Sequence, residues 1–250
     1  MRDFDDTTLW KVSAFERMQA DTGHSGFARL GSATALATTL LAELGQLEAV
    51  RRSGEVIEVV AACVRQREDA LLLVRHCGLV WPLTLFVRHG LYQMPRDIVA
   101  SLQDGNVDMQ VLGVEVPGLR APGHPDLERV AAACSYRTLT PLLWALALHA
   151  PQAELLQAIA GRVAYRLAAG FNVEDCALRG ALGHALARLR RESASFNDIA
   201  RWPGMDRERT TRLLNGVYLQ GGLMVLRAHH AARGNESGLQ RLRGWLRQPH

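Results

Sequence analysis

Lysine is nearly missing from this chain: Lys11 is the only one among 29 basic residues, so almost all of its positive charge is guanidinium. Arginine suits bidentate contacts with phosphate or carboxylate, although a GC-rich bacterial genome produces the same preference. Cysteine is sparse as well. Cys63, Cys77, Cys134 and Cys176 are dispersed with no CxxC spacing, which argues against zinc-ribbon and dithiol redox chemistry and for free thiols in a reducing cytoplasm. Long apolar runs are absent. The strongest, near residues 71–74 and 142–148, are far too short to cross a bilayer. Asp3, Asp5 and Asp6 stand where a secretion signal would need a basic segment followed by an apolar one, so a cytoplasmic protein with no membrane partner is expected. No P-loop, GxGxxG or GxSxG run occurs, and His184 has no His or Glu four residues on, as the helical zinc-protease motif would need. No enzyme, cofactor or metal is therefore expected.

What is present is an ordinary globular composition. The 250 residues are 48% hydrophobic and 22% charged, enough for one large domain or two small ones with a real core. Charge is distributed unevenly. Residues 201–250 hold nine arginines against three acidic residues, a net +6, while residues 1–200 hold 20 basic and 22 acidic residues, a net −2.

Hydrophobic rhythm predicts an α+β protein whose first part is a small mixed domain. Residues 7–50 read as helical, with Asp5 or Asp6 as a cap, a break at 22–26, and an apolar face of Leu36, Leu40, Leu41, Leu44 and Leu47. The β-branched run from Val56 to Val60 reads as a strand. Residues 70–76 and 80–87 read as two arms of an antiparallel hairpin turning at Cys77-Gly78-Leu79, with Pro82 favouring a sheet edge or a strand start. Short strands are expected again at 91–94 and 109–116. Residues 117–125 contain three prolines and two glycines and read as the linker. That divides the chain into a sensing or dimerisation domain, 1–118, and a helical domain, 125–250. Helices are expected over 125–135, 140–150, 153–169 and 173–191, the last capped by Asn172 with Glu174 and Asp175 in its first turn.

Several constellations are better read as structure than as sites. The pairs Arg75-His76 and Arg88-His89 fall at the two ends of the hairpin arms and read as surface groups. His229 and His230 adjoin, a poor chelating geometry. Arg162 and Arg166 have an RxxxR spacing that fits one exposed helix face. Trp144 with Leu142, Leu143 and Leu146 reads as core or interface. The edge-like Pro82 strand and the Trp144 face together suggest a homodimer.

The most specific pattern lies between residues 193 and 230. A short helix with Phe196, Ile199 and Ala200 inward is broken at Trp202-Pro203-Gly204. Asp206 then caps a longer helix, 207–219, which Gly221-Gly222 ends before an extended run from Leu223. A return strand near Gly234 would complete a wing. This order of elements resembles the winged helix-turn-helix domain over about residues 174–232. The resemblance implies that the second helix enters the major groove, giving Arg207, Arg209, Thr210 and Arg212 a DNA-facing or partner-facing role and Arg227 a place on the wing. Asp206 and Glu208 alternate with those arginines and nearly neutralise the helix start, whereas phosphate contact rewards uncompensated charge. The expectation is therefore a regulatory or adaptor protein acting through protein–protein interaction or self-association. A DNA-binding regulator is the alternative, and an enzyme with a scattered site comes third.

Overall fold

The computed structural model describes residues 9–22, 35–52, 54–103, 109–149, 154–172 and 178–227. It is α+β with antiparallel sheets, and the chain forms two compact units that divide at Pro151 and Gln152. In the first, β1 (Trp10–Lys11), α1 (Val12–Thr22), α2 (Thr38–Ala49) and α3 (Val56–Gln66) precede β2 (Ala70–His76) and β3 (Leu79–Phe86). Then follow β4 (Leu91–Gln93), α4 (Ile98–Gln103), β5 (Met109–Glu115), β6 (Tyr136–Thr138) and α5 (Leu139–His149).

The hairpin is where it was expected. Cys77 and Gly78 take φ of 50° and 72°, the left-handed pair that a two-residue hairpin turn needs. Pairing runs from Ala70 opposite Leu85 to His76 opposite Leu79. Around it the sheet order is β5-β2-β3-β4-β6, with β1 pairing β3 off that path. The second arm is therefore an interior strand, and Pro82 does not mark an edge. β1 reaches β3 only at Leu79 and Val80, and β4 only from Thr84 to Phe86. Pro82 falls in the gap between these two pairings and interrupts neither ladder.

Both sheet faces are covered, which is why β2 reads as an unbroken apolar run rather than an alternation. Leu71, Leu73 and Val80 pack with Phe15, the one fully buried side chain among those described in α1. Leu72, Leu83, Leu85 and Val74 are buried on the other face. His76 shares that face and is buried, its ring edge-on to Trp81 at 5.6 Å, so it is a core histidine and not the surface group expected.

The Val56–Val60 run is a correction. It opens α3, which is buried continuously from Val56 to Cys63 and contacts α2, β5 and α5. A helix satisfies its own backbone and can be enclosed on all sides, and here that outweighs β-branched propensity. Its one buried acid, Glu58, is paired with Arg52 at 2.8 Å. Glu43 of α2 accepts from Gln66 at 2.7 Å and pairs with Arg65, joining α2 to the end of α3.

Residues 117–125 do not separate domains, because β6 and α5 downstream belong to the same unit and β6 pairs β4. Nor do residues 125–135 form an α-helix; they contain 3-10 turns at Leu127–Arg129 and Ala133–Ser135 and a β-bridge from Val130 to Arg120. α5 is present as expected, with Trp144 and its leucine neighbours buried. With Trp144 covered and β3 interior, neither observation behind the expected homodimer survives.

The second unit contains β7 (Ala164–Leu167), α6 (Gly180–Arg191), β8 (Ala194–Ser195), α7 (Phe196–Ile199), α8 (Arg207–Leu219) and β9 (Leu223–Leu226). The helix expected over 153–169 is absent. Its second half is β7, the middle strand of a β8-β7-β9 sheet. The strand exists because partners thirty and sixty residues downstream pair with it, a cause invisible to local periodicity. Arg162 and Arg166, expected on one helix face, lie before and within this strand, both exposed. The expected caps Asp5 and Asp6, the first-turn acids Glu174 and Asp175, His229, His230 and the return strand near Gly234 lie outside the described residues.

Two buried phenols give the fold an alkaline limit. Burial pushes Tyr92 in β4 up to about 12 from an ordinary 10.0. Burial does the same to Tyr165 in β7, against a smaller opposing effect from Arg227. A raised folded-state value means that the stabilising contribution is complete below about pH 10 and is lost as pH rises through about 12. Stability should thus be flat up to pH 10 and fall between 10 and 12. In Tyr165→Phe, the phenolate absorbance gained above pH 11 should shrink by one group. Ionisation of both phenols near pH 10 with the fold intact would contradict this.

Candidate functional site

The helix pair at residues 195–219 is built from capping chemistry. Ser195 caps α7 in a reciprocal box: its hydroxyl accepts from the Asp198 amide at 3.3 Å while Asp198 accepts from the Ser195 amide at 3.2 Å. After Ile199 the chain turns through Trp202 and Gly204. The Gly204 backbone is left-handed (φ 74°), and a Cβ there would lie 2.8 Å from that of Ala181 in α6. The close approach and the dihedral both require glycine. Trp202 is buried, and the Arg188 guanidinium of α6 stacks 4.5 Å above its ring. Asp206 then caps α8 by accepting from the Arg209 amide at 2.7 Å, as its position predicts.

The residues singled out from sequence do not form one surface. Thr210 is fully buried and its hydroxyl donates to the Asp206 carbonyl at 2.6 Å, so it belongs to the helix interior and has no outward role. Arg207 lies 5.0 Å over the Phe196 ring and donates to Asn197 at 3.3 Å. Arg209 donates to the Gly204 carbonyl at 2.6 Å and lies 3.7 Å from the Asp206 carboxylate. Arg212 is bound to Glu208 through two nitrogens at 2.9 and 3.0 Å. Arg227 follows β9 and is exposed. The three arginines of α8 are each engaged locally, two of them with carboxylates.

Asn215 has a role that the sequence did not indicate. Buried on α8, it accepts from the Leu156 amide at 3.0 Å and donates to the Glu154 carbonyl at 2.8 Å, fastening the start of the unit to its longest helix. Its only sequence signal was a polar residue on the apolar side of a helix.

Among the described residues no three His, Cys, Asp or Glu side chains converge on one point, and no helix is long and apolar enough to cross a membrane. The chain matches no protein-family model, no curated protein and no solved structure.

Proposed function

We propose that residues 174–232 form a winged-helix-like module used as a protein-interaction surface, in a regulatory or adaptor protein with no catalytic activity of its own. The state of α8 carries this reading. From Thr210 to Leu219 only Arg212 and Tyr218 escape full burial. What remains exposed is the first turn, where Arg207 and Arg209 alternate with Asp206 and Glu208. A duplex reader needs uncompensated cations along the helix that enters the groove. A surface of alternating, locally paired charges suits the polar rim of a protein interface, where charge pattern selects the partner. That partner is a second protein or another copy of this chain.

DNA binding is the second reading, favoured by the net +6 of residues 201–250 and by exposed Arg227. At roughly 100° per residue, Arg209 and Arg212 sit about 60° apart and are the one pair that shares a face. Anisotropy of a labelled mixed-sequence duplex at low ionic strength separates the readings, and no salt-sensitive binding is expected. Binding that weakens with salt, with a slope that Arg209→Ala/Arg212→Ala flattens by about two counterions, would replace the protein-interaction reading with the DNA one. Arg209 is exposed and Arg212 half-buried, and ion pairs at a surface are worth at most about 1 kcal/mol, so the double variant is expected to stay folded, which circular dichroism checks. The charge-reversed form, Arg209→Glu/Arg212→Glu, is expected to lose the protein captured by wild type from extracts of the source cells.

A further inference from the structure

The first unit contains a cleft of about 540 Å³ between the α3–β2 connection, the end of β3 and the proline-rich segment after β5. This volume is within the range of about 300–1,000 Å³ typical of small-molecule sites. Its apolar wall includes Phe86, Pro117 and Leu119. Four charged side chains line it: Glu68, Asp69, Arg88 and Arg120.

Those charges divide into a satisfied pair and an unsatisfied pair. Arg88 donates to Glu68 at 3.4 Å and to the Arg67 carbonyl at 3.0 Å, so these two neutralise each other. Asp69 and Arg120 do not. Asp69 Oδ1 and Arg120 Nε are both buried without a hydrogen-bond partner, and no ion pair joins the two residues. Both residues are half-buried, and a polar atom that has left water without a replacement partner carries a desolvation cost. Two such groups of opposite sign lining one cleft are the complement of a ligand that brings both charges itself.

The backbone around both residues is held in place. The Arg120 amide donates to the Arg129 carbonyl at 2.8 Å, and its own carbonyl accepts from the Tyr136 hydroxyl at 2.6 Å. The same hydroxyl accepts from the Ala131 amide at 2.9 Å, tying the segment to β6. Asp69 follows the left-handed turn at Arg67 (φ 53°), where the Glu68 amide returns to the Cys63 carbonyl at 3.1 Å and closes α3. Preorganisation of this kind lowers the ordering cost of binding.

We propose that this cleft binds a small zwitterion of the amino-acid type, with its carboxylate at Arg120, its ammonium at Asp69 and an apolar side chain against Phe86 and Leu119. Guanidinium–carboxylate and carboxylate–ammonium contacts are the charge-assisted bonds that each group lacks. This site is independent of the proposed role of residues 174–232.

Isothermal titration of the full chain with L-leucine and with L-phenylalanine tests the proposal. Isocaproate supplies the carboxylate without the amine, and isoamylamine the reverse. At least one amino acid should give saturable heat, with each control, and each of Asp69→Asn and Arg120→Gln, weaker by at least about tenfold, the loss of one charge-assisted contact. Circular dichroism verifies that each variant is folded, and if one is not, the other variant and the two controls decide. No saturable heat from either amino acid overturns the proposal. So does a control that binds as tightly as L-leucine, or wild-type affinity in a folded variant.

Discussion

Replacing Asn215 with leucine is expected to destabilise the second unit by about 2–4 kcal/mol. Leucine keeps the branched outline and the heavy-atom count of the asparagine side chain, while both polar contacts go. The Leu156 amide then loses its acceptor at 3.0 Å, and the Glu154 carbonyl loses the donor at 2.8 Å. Both contacts are made by a side chain that is 3% exposed, where water does not readily substitute. An unpaired buried amide costs about 1–3 kcal/mol beyond the hydrogen bond itself. Urea unfolding followed by tryptophan fluorescence measures the loss, since Trp202 is buried in this unit. A change below about 1 kcal/mol would mean that the 154–156 segment contributes little to holding the unit together.

Phe15→Ala is expected to cost about 3–5 kcal/mol, the range for deleting a buried aromatic ring. The loss should fall mainly on one element. Phe15 is 1% exposed and fills the space over Leu71, Leu73 and Val80, while Trp10, Val12 and Met18 are only partly buried around it. The other described side chains of α1 are exposed, and an isolated helix of its length is marginal in water. The variant should therefore release α1 while the β2–β3 hairpin stays formed. Hydrogen exchange would show α1 amides at near-unprotected rates with protection retained from Leu71 to Val74. Continued protection of α1 would mean that its docking does not depend on this ring.

The best-read parts of the fold are those whose cause is local. Cys77-Gly78 sets the hairpin by its own dihedral requirement, and Ser195, Asp206 and Gly221 bound helices by chemistry within four residues. α8 appears over the predicted residues because cap, periodicity and stop all agree along the chain. The errors share a different cause. Val56–Val60 was read as a strand from β-branching, yet the unit encloses it as a helix. Ala164–Leu167 falls within the helix expected over 153–169, yet β8 and β9 recruit it as the middle of a sheet. In both, tertiary partners override a propensity worth under about 1 kcal/mol per residue.

The candidate sites divide in the same way. Sequence alone determined that Arg207, Arg209 and Arg212 stand at the start of a capped helix, because an N-cap and a 3.6-residue period need only neighbours. Whether those guanidiniums are available depended on where Asp206, Glu208, Phe196 and the Gly204 carbonyl fall around them, which is a matter of side-chain geometry. The burial of Thr210 and the fastening role of Asn215 likewise followed from what packs against α8. Asp69 and Arg120 are fifty-one positions apart and belong to no motif. Only the antiparallel path of β2, β3 and β5 brings them to one cleft, and only burial leaves a polar atom of each unpaired.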